Sequence, residues 1–113
     1  MQHYHSLTEA SLQGARLTVG VYDGVHRGHQ EILRRVTAGS PSVVLTFHPH
    51  PASVLGGHEI KCLTTPDERA DLLAALGVDV VITEPFTRDL ASVSAYEFMS
   101  SLKRHLGLEH LFI

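Results

Sequence analysis

Apolar residues recur along this chain in two interleaved patterns. Short, nearly continuous runs occupy Leu17-Thr18-Val19-Gly20-Val21, Ser42-Val43-Val44-Leu45-Thr46-Phe47 and Val78-Asp79-Val80-Val81-Ile82-Thr83, and another begins at Glu109 and reaches Ile113. Runs of this length, rich in β-branched residues and bounded by turn formers, predict strands of a parallel sheet buried on both faces. Between them the spacing changes to threes and fours. Ile32, Leu33 and Val36 share a face in residues 29–38, Ala70, Leu72, Leu73 and Leu76 do so after Thr65, and Ala95, Phe98, Leu102 and Leu106 do so after Ser94. That period predicts amphipathic helices. Thr65 with Pro66 and Glu68, and Ser94 with Glu97, read as capped starts, while Gly39, Gly77 and Gly107 read as stops. Residues 2–14 carry no clear period, and residues 52–64 read as a loop hinged at Gly56-Gly57.

Alternating strands and helices predict an α/β domain, a parallel sheet with right-handed crossovers and helices on both faces. At 113 residues the chain is one domain at most. A hydrophobic fraction of 43% against 19% charged is that of an ordinary globular protein and argues against disorder, and no run of like charge suggests a tail. The formal charge of −3 supplies no basic field, so a polynucleotide partner is disfavoured. Cys62 is the only cysteine, no run approaches membrane-spanning length, and the start lacks a signal-peptide pattern. The expected setting is the cytoplasm, without a membrane partner.

Candidate chemistry concentrates where the first strand hands over to the first helix, at Gly20-Val21-Tyr22-Asp23-Gly24-Val25-His26-Arg27-Gly28-His29-Gln30. The first amides of a helix have no intrahelical partner, and the positive end of its dipole faces the crevice above the sheet, a ready anion site. His26 and His29 flank that position as directed donors that titrate near neutrality, and Gly28 lets a phosphate come close. Two plainer readings stand beside this one: polar residues of a turn, or a pair of metal ligands still lacking a third. The second strand runs into His48-Pro49-His50-Pro51, and parallel connectivity places that stiff tetrapeptide on the same rim. Phe86, Thr87 and Arg88 follow the third strand onto it. Phe86 has the shape either to stack on a planar ring or to plug the core.

Asp23-Gly24-Val25-His26-Arg27-Gly28-His29-Gln30 resembles the extended HxGH signature of the adenylyltransferase module of prokaryotic FAD synthetases, which is usually fused to a riboflavin kinase. Three further stretches resemble the same family: Thr46-Phe47-His48-Pro49-His50-Pro51; Leu63-Thr64-Thr65-Pro66-Asp67-Glu68-Arg69 with Leu76-Gly77-Val78-Asp79; and the Pro85-Phe86 turn. Tyr22 stands where members usually carry Phe. The resemblance implies a Rossmann-like nucleotidylyltransferase with strand order 3-2-1-4, and transfer of AMP from ATP to FMN, giving FAD and pyrophosphate with Mg2+. It implies catalytic roles for His26 and His29 and nucleotide contacts from Gly20, Tyr22, Asp23, Gly24 and Gly28. Flavin or loop contacts would come from Thr46, Phe47, His48, Pro49, His50, Pro51, Phe86 and Arg88.

The second signature of the class, an Ile-Ser-Ser-Thr-Arg-like segment, has no counterpart in these residues. The expectation is therefore one partial nucleotidylyltransferase domain over 1–113, without a riboflavin kinase domain. Three alternatives stay open: an enzyme of the same class with another phosphate acceptor, an inactive nucleotide-binding fragment, and a zinc hydrolase using His26, His29, His48 and His50.

Overall fold

A computed structural model describes residues 1–25, 27–57 and 59–113, with the backbone alone at Arg27. In chain order the elements are β1 (Gln2–Tyr4), a 3-10 turn (Leu7–Glu9), β2 (Arg16–Val19), α1 (Arg27–Val36), β3 (Ser42–His48), α2 (Pro51–Gly56), α3 (Pro66–Ala75), β4 (Val80–Pro85), α4 (Arg88–Ala91), α5 (Ala95–Leu106) and β5 (His110–Phe112). The described strands form one five-stranded sheet of order β1-β4-β3-β2-β5, and every neighbouring pair is parallel. The four strands expected from the apolar runs are β2 to β5, and they stand in the order 3-2-1-4.

The period-two geometry of a strand sends successive side chains to opposite faces, and here both faces are buried. Val43, Leu45, Val80 and Ile82 pack with Leu17, Leu102 and Leu106 on the side of α5 and the 3-10 turn. Val44 and Val81 pack with Leu33 of α1 and with Ala70 and Leu73 of α3 on the other. Removing each such leucine side chain from water stabilises the fold by roughly 1.5–3 kcal/mol.

The helix starts follow the caps. Thr65 Oγ1 accepts from Glu68 N at 3.1 Å, and Glu68 Oε1 accepts from Thr65 N at 2.9 Å, a complete capping box. Ser94 Oγ accepts from Glu97 N at 3.1 Å, and α5 ends at Gly107 with φ +54°.

Four expectations change. Residues 2–14, given no element, supply β1 and the 3-10 turn. An edge strand pairs on one side only and can be polar, so Gln2-His3-Tyr4 has no apolar run to announce it. The first strand ends at Val19 rather than Val21, the chain turning away at the loop described below. Residues 52–64 are not all loop: Pro51 supplies the fixed φ of a first helical position, His50 Nδ1 accepts from Ala52 N at 3.0 Å, and Gly57 at φ +72° ends α2. No residue of α2 is buried, which leaves no apolar period to read. Finally, Leu72 and Leu76 are 42% and 41% exposed, because α3 turns Arg69, Ala70 and Leu73 inward instead.

Asp79 ties the start of β4 to that of β3. Its carboxylate accepts from Ser42 N at 2.9 Å and from Ser40 Oγ at 2.7 Å, and these bonds, the first foremost, hold its carboxyl below the usual range against a weaker effect of burial. A carboxyl depressed in the folded state contributes stability that is fully present above the unfolded pKa near 4, and loses it as pH falls through the folded value. Urea unfolding below about pH 4 should therefore show a steeper loss of stability with acid in the wild type than in Asp79→Asn.

Candidate active site

The loop leaving β2 is held in a conformation that its sequence alone does not favour. Tyr22, Gly24 and Val25 have φ of +54°, +76° and +47°, in the left-handed region. For non-glycine residues this costs of order 1–3 kcal/mol each and persists only where the surroundings impose it. Those surroundings are on both sides of the loop. Tyr22 is 3% exposed, and its hydroxyl, absent from the Phe usual in the resemblance, is 2.6 Å from Thr18 Oγ1. A Cβ on Gly20 would sit 2.8 Å from the Tyr22 ring, so the glycine lets that ring fold back over the end of β2. Burial, opposed by the Thr18 bond, pushes the Tyr22 phenol above its ordinary pKa.

Asp23 fixes the other side. Its Oδ1 accepts from Thr64 N at 2.9 Å and Thr64 Oγ1 at 2.7 Å, its Oδ2 accepts from Leu63 N at 2.8 Å, and Arg69 Nη2 lies 3.7 Å away. Burial acts to raise the Asp23 pKa, but the hydrogen bonds from Thr64 and Leu63 and the Arg69 charge outweigh it and hold the carboxyl below its usual range. Arg69 is 1% exposed. It donates from Nη1 to Thr46 Oγ1 at 3.1 Å and to Phe47 O at 3.3 Å, and Thr46 Oγ1 in turn donates to Val21 O at 2.6 Å. One guanidinium thus joins the loop after β2, the end of β3 and the entry to α3.

The result is a cavity of about 230 Å3 above the carboxyl ends of β2 and β3, lined by Val21, Tyr22, Asp23, His29 and His50. His29 lies in the first turn of α1, its ring 4.5 Å from that of Tyr22 at an angle of 48°. In the neutral His50 ring, acceptance at Nδ1 from Ala52 puts the proton on Nε2, a donor. Gly28 is exposed, with nothing within 4 Å of where a Cβ would stand. The chemistry available is that of imidazole and backbone N–H donors around a small anion at a helix start.

Beside it lie two further hollows. Phe47 and Phe86 meet edge to face, ring centroids 5.6 Å apart, in a largely apolar cavity of about 310 Å3 completed by Leu90, Val93, Ala95 and Phe98. His48 lines a separate cleft of about 440 Å3 with residues 59–66 and Glu68.

The other expected contacts are placed as follows. Thr46 is fully buried and its hydroxyl is engaged within the scaffold, so it holds the loop rather than facing a ligand. Pro49 is exposed, Pro51 opens α2, and Arg88 opens α4 behind the cap of Thr87, whose Oγ1 accepts from Leu90 N at 3.0 Å. His26 and the Arg27 side chain lie outside the described residues. The zinc alternative finds no assembly among the described histidines: His29 and His50 share one cavity, His48 lines another, and no metal-sized group of ligand atoms joins them. Arg69 was missed. Its signal was its place on the Ala70–Leu73 face of α3, where a charged residue needs a buried partner.

Comparison with known proteins identifies the family. The FAD synthetase family matches residues 8–113. The chain is 34% identical to the bifunctional riboflavin kinase/FMN adenylyltransferase of Escherichia coli K12, covering 96% of this chain and 37% of that protein. It is 33% identical to a protein so described from Listeria monocytogenes, over 84% of this chain and 32% of the relative, and 36% identical to an FAD synthetase from the same organism, over 89% and 44%. The chain thus spans about a third of the length of the bifunctional relatives. A crystal structure titled macrolide-efflux protein, from Streptococcus pneumoniae, superposes with a TM-score of 0.83 at 24% identity, over 97% of this chain and 46% of that one, and shares its fold. Among the described residues no helix is long and apolar enough to cross a membrane. With the loop motif, the strand order and the match over nearly its whole length in agreement, the chain belongs to the FAD synthetase family.

Proposed function

We propose that this domain is the adenylyltransferase part of an FAD synthetase, transferring AMP from ATP to FMN. An FMN phosphate oxygen attacks the α-phosphorus in line, a bond forms between them, and the bond from that phosphorus to the bridging oxygen breaks to release pyrophosphate. Such a transfer needs alignment and charge stabilisation rather than a covalent intermediate. The observation that carries the reading is the cavity at the start of α1, where His29 and His50 share a wall with the loop of Tyr22 and Asp23. His29 donates to the phosphate oxygens as charge builds on them, the first amides of α1 do the same, and His26 joins them by its place in the motif.

Mg2+ accompanies the nucleotide in this reading. Asp23, the carboxylate that lines the cavity, has both oxygens engaged by the protein and does not fit as a ligand. The ion would arrive with the triphosphate. A cytoplasmic setting suits the substrates and the free, exposed thiol of Cys62. The acceptor ring fits the Phe47–Phe86 hollow, whose volume lies at the lower end of the range for small-molecule sites, about 300–1,000 Å3.

Incubation with ATP and FMN should yield FAD and pyrophosphate in equal amounts, separated by chromatography. Loss of FMN dependence would overturn the acceptor assignment. Phe86→Ala should raise the KM for FMN about three- to tenfold, the worth of one aromatic contact, and leave the KM for ATP unchanged.

A further inference from the structure

His3, His5 and Asp67 belong to neither the cavity nor the clefts around it. The two histidines alternate by two on and just beyond β1, so they lie on the same side of the edge strand, with ring centroids 4.4 Å apart. Asp67 is the second residue of α3, where the helix dipole favours a carboxylate anion. His3 Nδ1 is 3.6 Å from Asp67 Oδ1, and one ligand atom from each of the three residues lies within 4.8 Å of the others.

We infer that His3, His5 and Asp67 form a binding site for a divalent first-row transition ion that clips the edge strand β1 to the start of α3. Two imidazoles and one carboxylate are the donor set that Zn2+ and its neighbours accept, with water completing the coordination. Tetrahedral ligands at about 2.0–2.1 Å from zinc stand about 3.3 Å apart, so the exposed His5 ring and Asp67 carboxylate need close by no more than about 1.5 Å. The inner partner is already oriented. His3 Nε2 is 2.7 Å from Thr83 Oγ1 on β4; when Nε2–H donates there, Nδ1 presents its lone pair toward Asp67, the arrangement by which a hydrogen-bonded neighbour fixes the tautomer of a metal-bound histidine. His5 and Asp67 are exposed and can turn toward the ion at little cost to the fold.

Calorimetric titration of the whole chain with Zn2+ tests the site. The expected result is one ion bound with micromolar affinity, at least tenfold weaker binding in His5→Gln and in Asp67→Asn, and a rise in Tm with Zn2+ that both variants lose. Because both side chains are exposed, metal-free His5→Gln should melt with the wild type, and metal-free Asp67→Asn at most a few degrees below it, the worth of one charge at a helix start. Co2+ in place of Zn2+ should give a visible absorption band that disappears in either variant. Unchanged affinity in both variants, which would put the ion on other histidines, or no saturable binding up to about 1 mM, would overturn the assignment.

Discussion

His29→Ala is expected to slow AMP transfer about a hundred- to a thousandfold at saturating ATP and FMN, the usual consequence of removing one donor from developing oxyanion charge. The loss should fall mainly on kcat, because the donor acts most strongly when the phosphate oxygens carry the extra charge. Pyrophosphate release measures it. The ring also rests against Tyr22, so part of any loss could come from loop packing. Urea unfolding of the same variant separates the two: a change well below the catalytic loss assigns the effect to the donor. His29→Asn keeps an N–H at a similar reach and should recover part of the rate. Near-normal turnover in the alanine variant would remove His29 from the mechanism.

The largest structural effect should come from Arg69→Met. This nearly volume-matched change leaves the Asp23 carboxylate facing a buried methyl group and takes the donor from Thr46 and the Phe47 carbonyl. Removing one partner of a buried pair costs about 3–5 kcal/mol, and because Asp23 is 19% exposed the lower end applies. Equilibrium unfolding in urea near neutral pH reads it directly. Asp23→Asn sets an NH2 against a backbone N–H and destabilises in either background, but it should cost less beside Arg69→Met than in the wild type, and the double-mutant cycle gives the coupling. Arg69→Lys should not restore the lost stability. A single ammonium on a flexible stem cannot reach Thr46, Phe47, Thr64 and Asp23 together as the planar fork does. Wild-type stability in Arg69→Met would show that the left-handed loop is held by Tyr22 and by the Asp23 bonds to Leu63 and Thr64, without the guanidinium.

What could be read in advance follows from what burial imposes on composition. β3 and the middle of β4 are covered on both faces, so they are largely apolar, with Ser42, Thr46 and Thr83 as buried polar exceptions, and residues 42–47 and 78–83 showed it. Thr65 and Ser94 were legible because a cap needs a particular side chain at a particular offset. β1 was not legible, since an edge strand satisfies half its hydrogen bonds with water and tolerates Gln2 and His3. Neither were α2 and α4, which at six and four residues are too short to show a helical period. In the site, the glycines and histidines marked the loop by their spacing. The agent that holds the loop, Arg69, is distant in sequence from Asp23 and Thr46, and only the packing of α3 on the sheet brings the three together. The reversal at Leu72 and Leu76 has the same source: once a guanidinium occupies the inward face of α3, those leucines fall outside it.

Asp23 touches both sides of a partition. It lines the smaller hollow that holds His29 and His50, and through Leu63 and Thr64 it grips the segment that walls the larger cleft beside His48. The two chambers therefore share one carboxylate as a common post, and the wall of each is built on the same side chain.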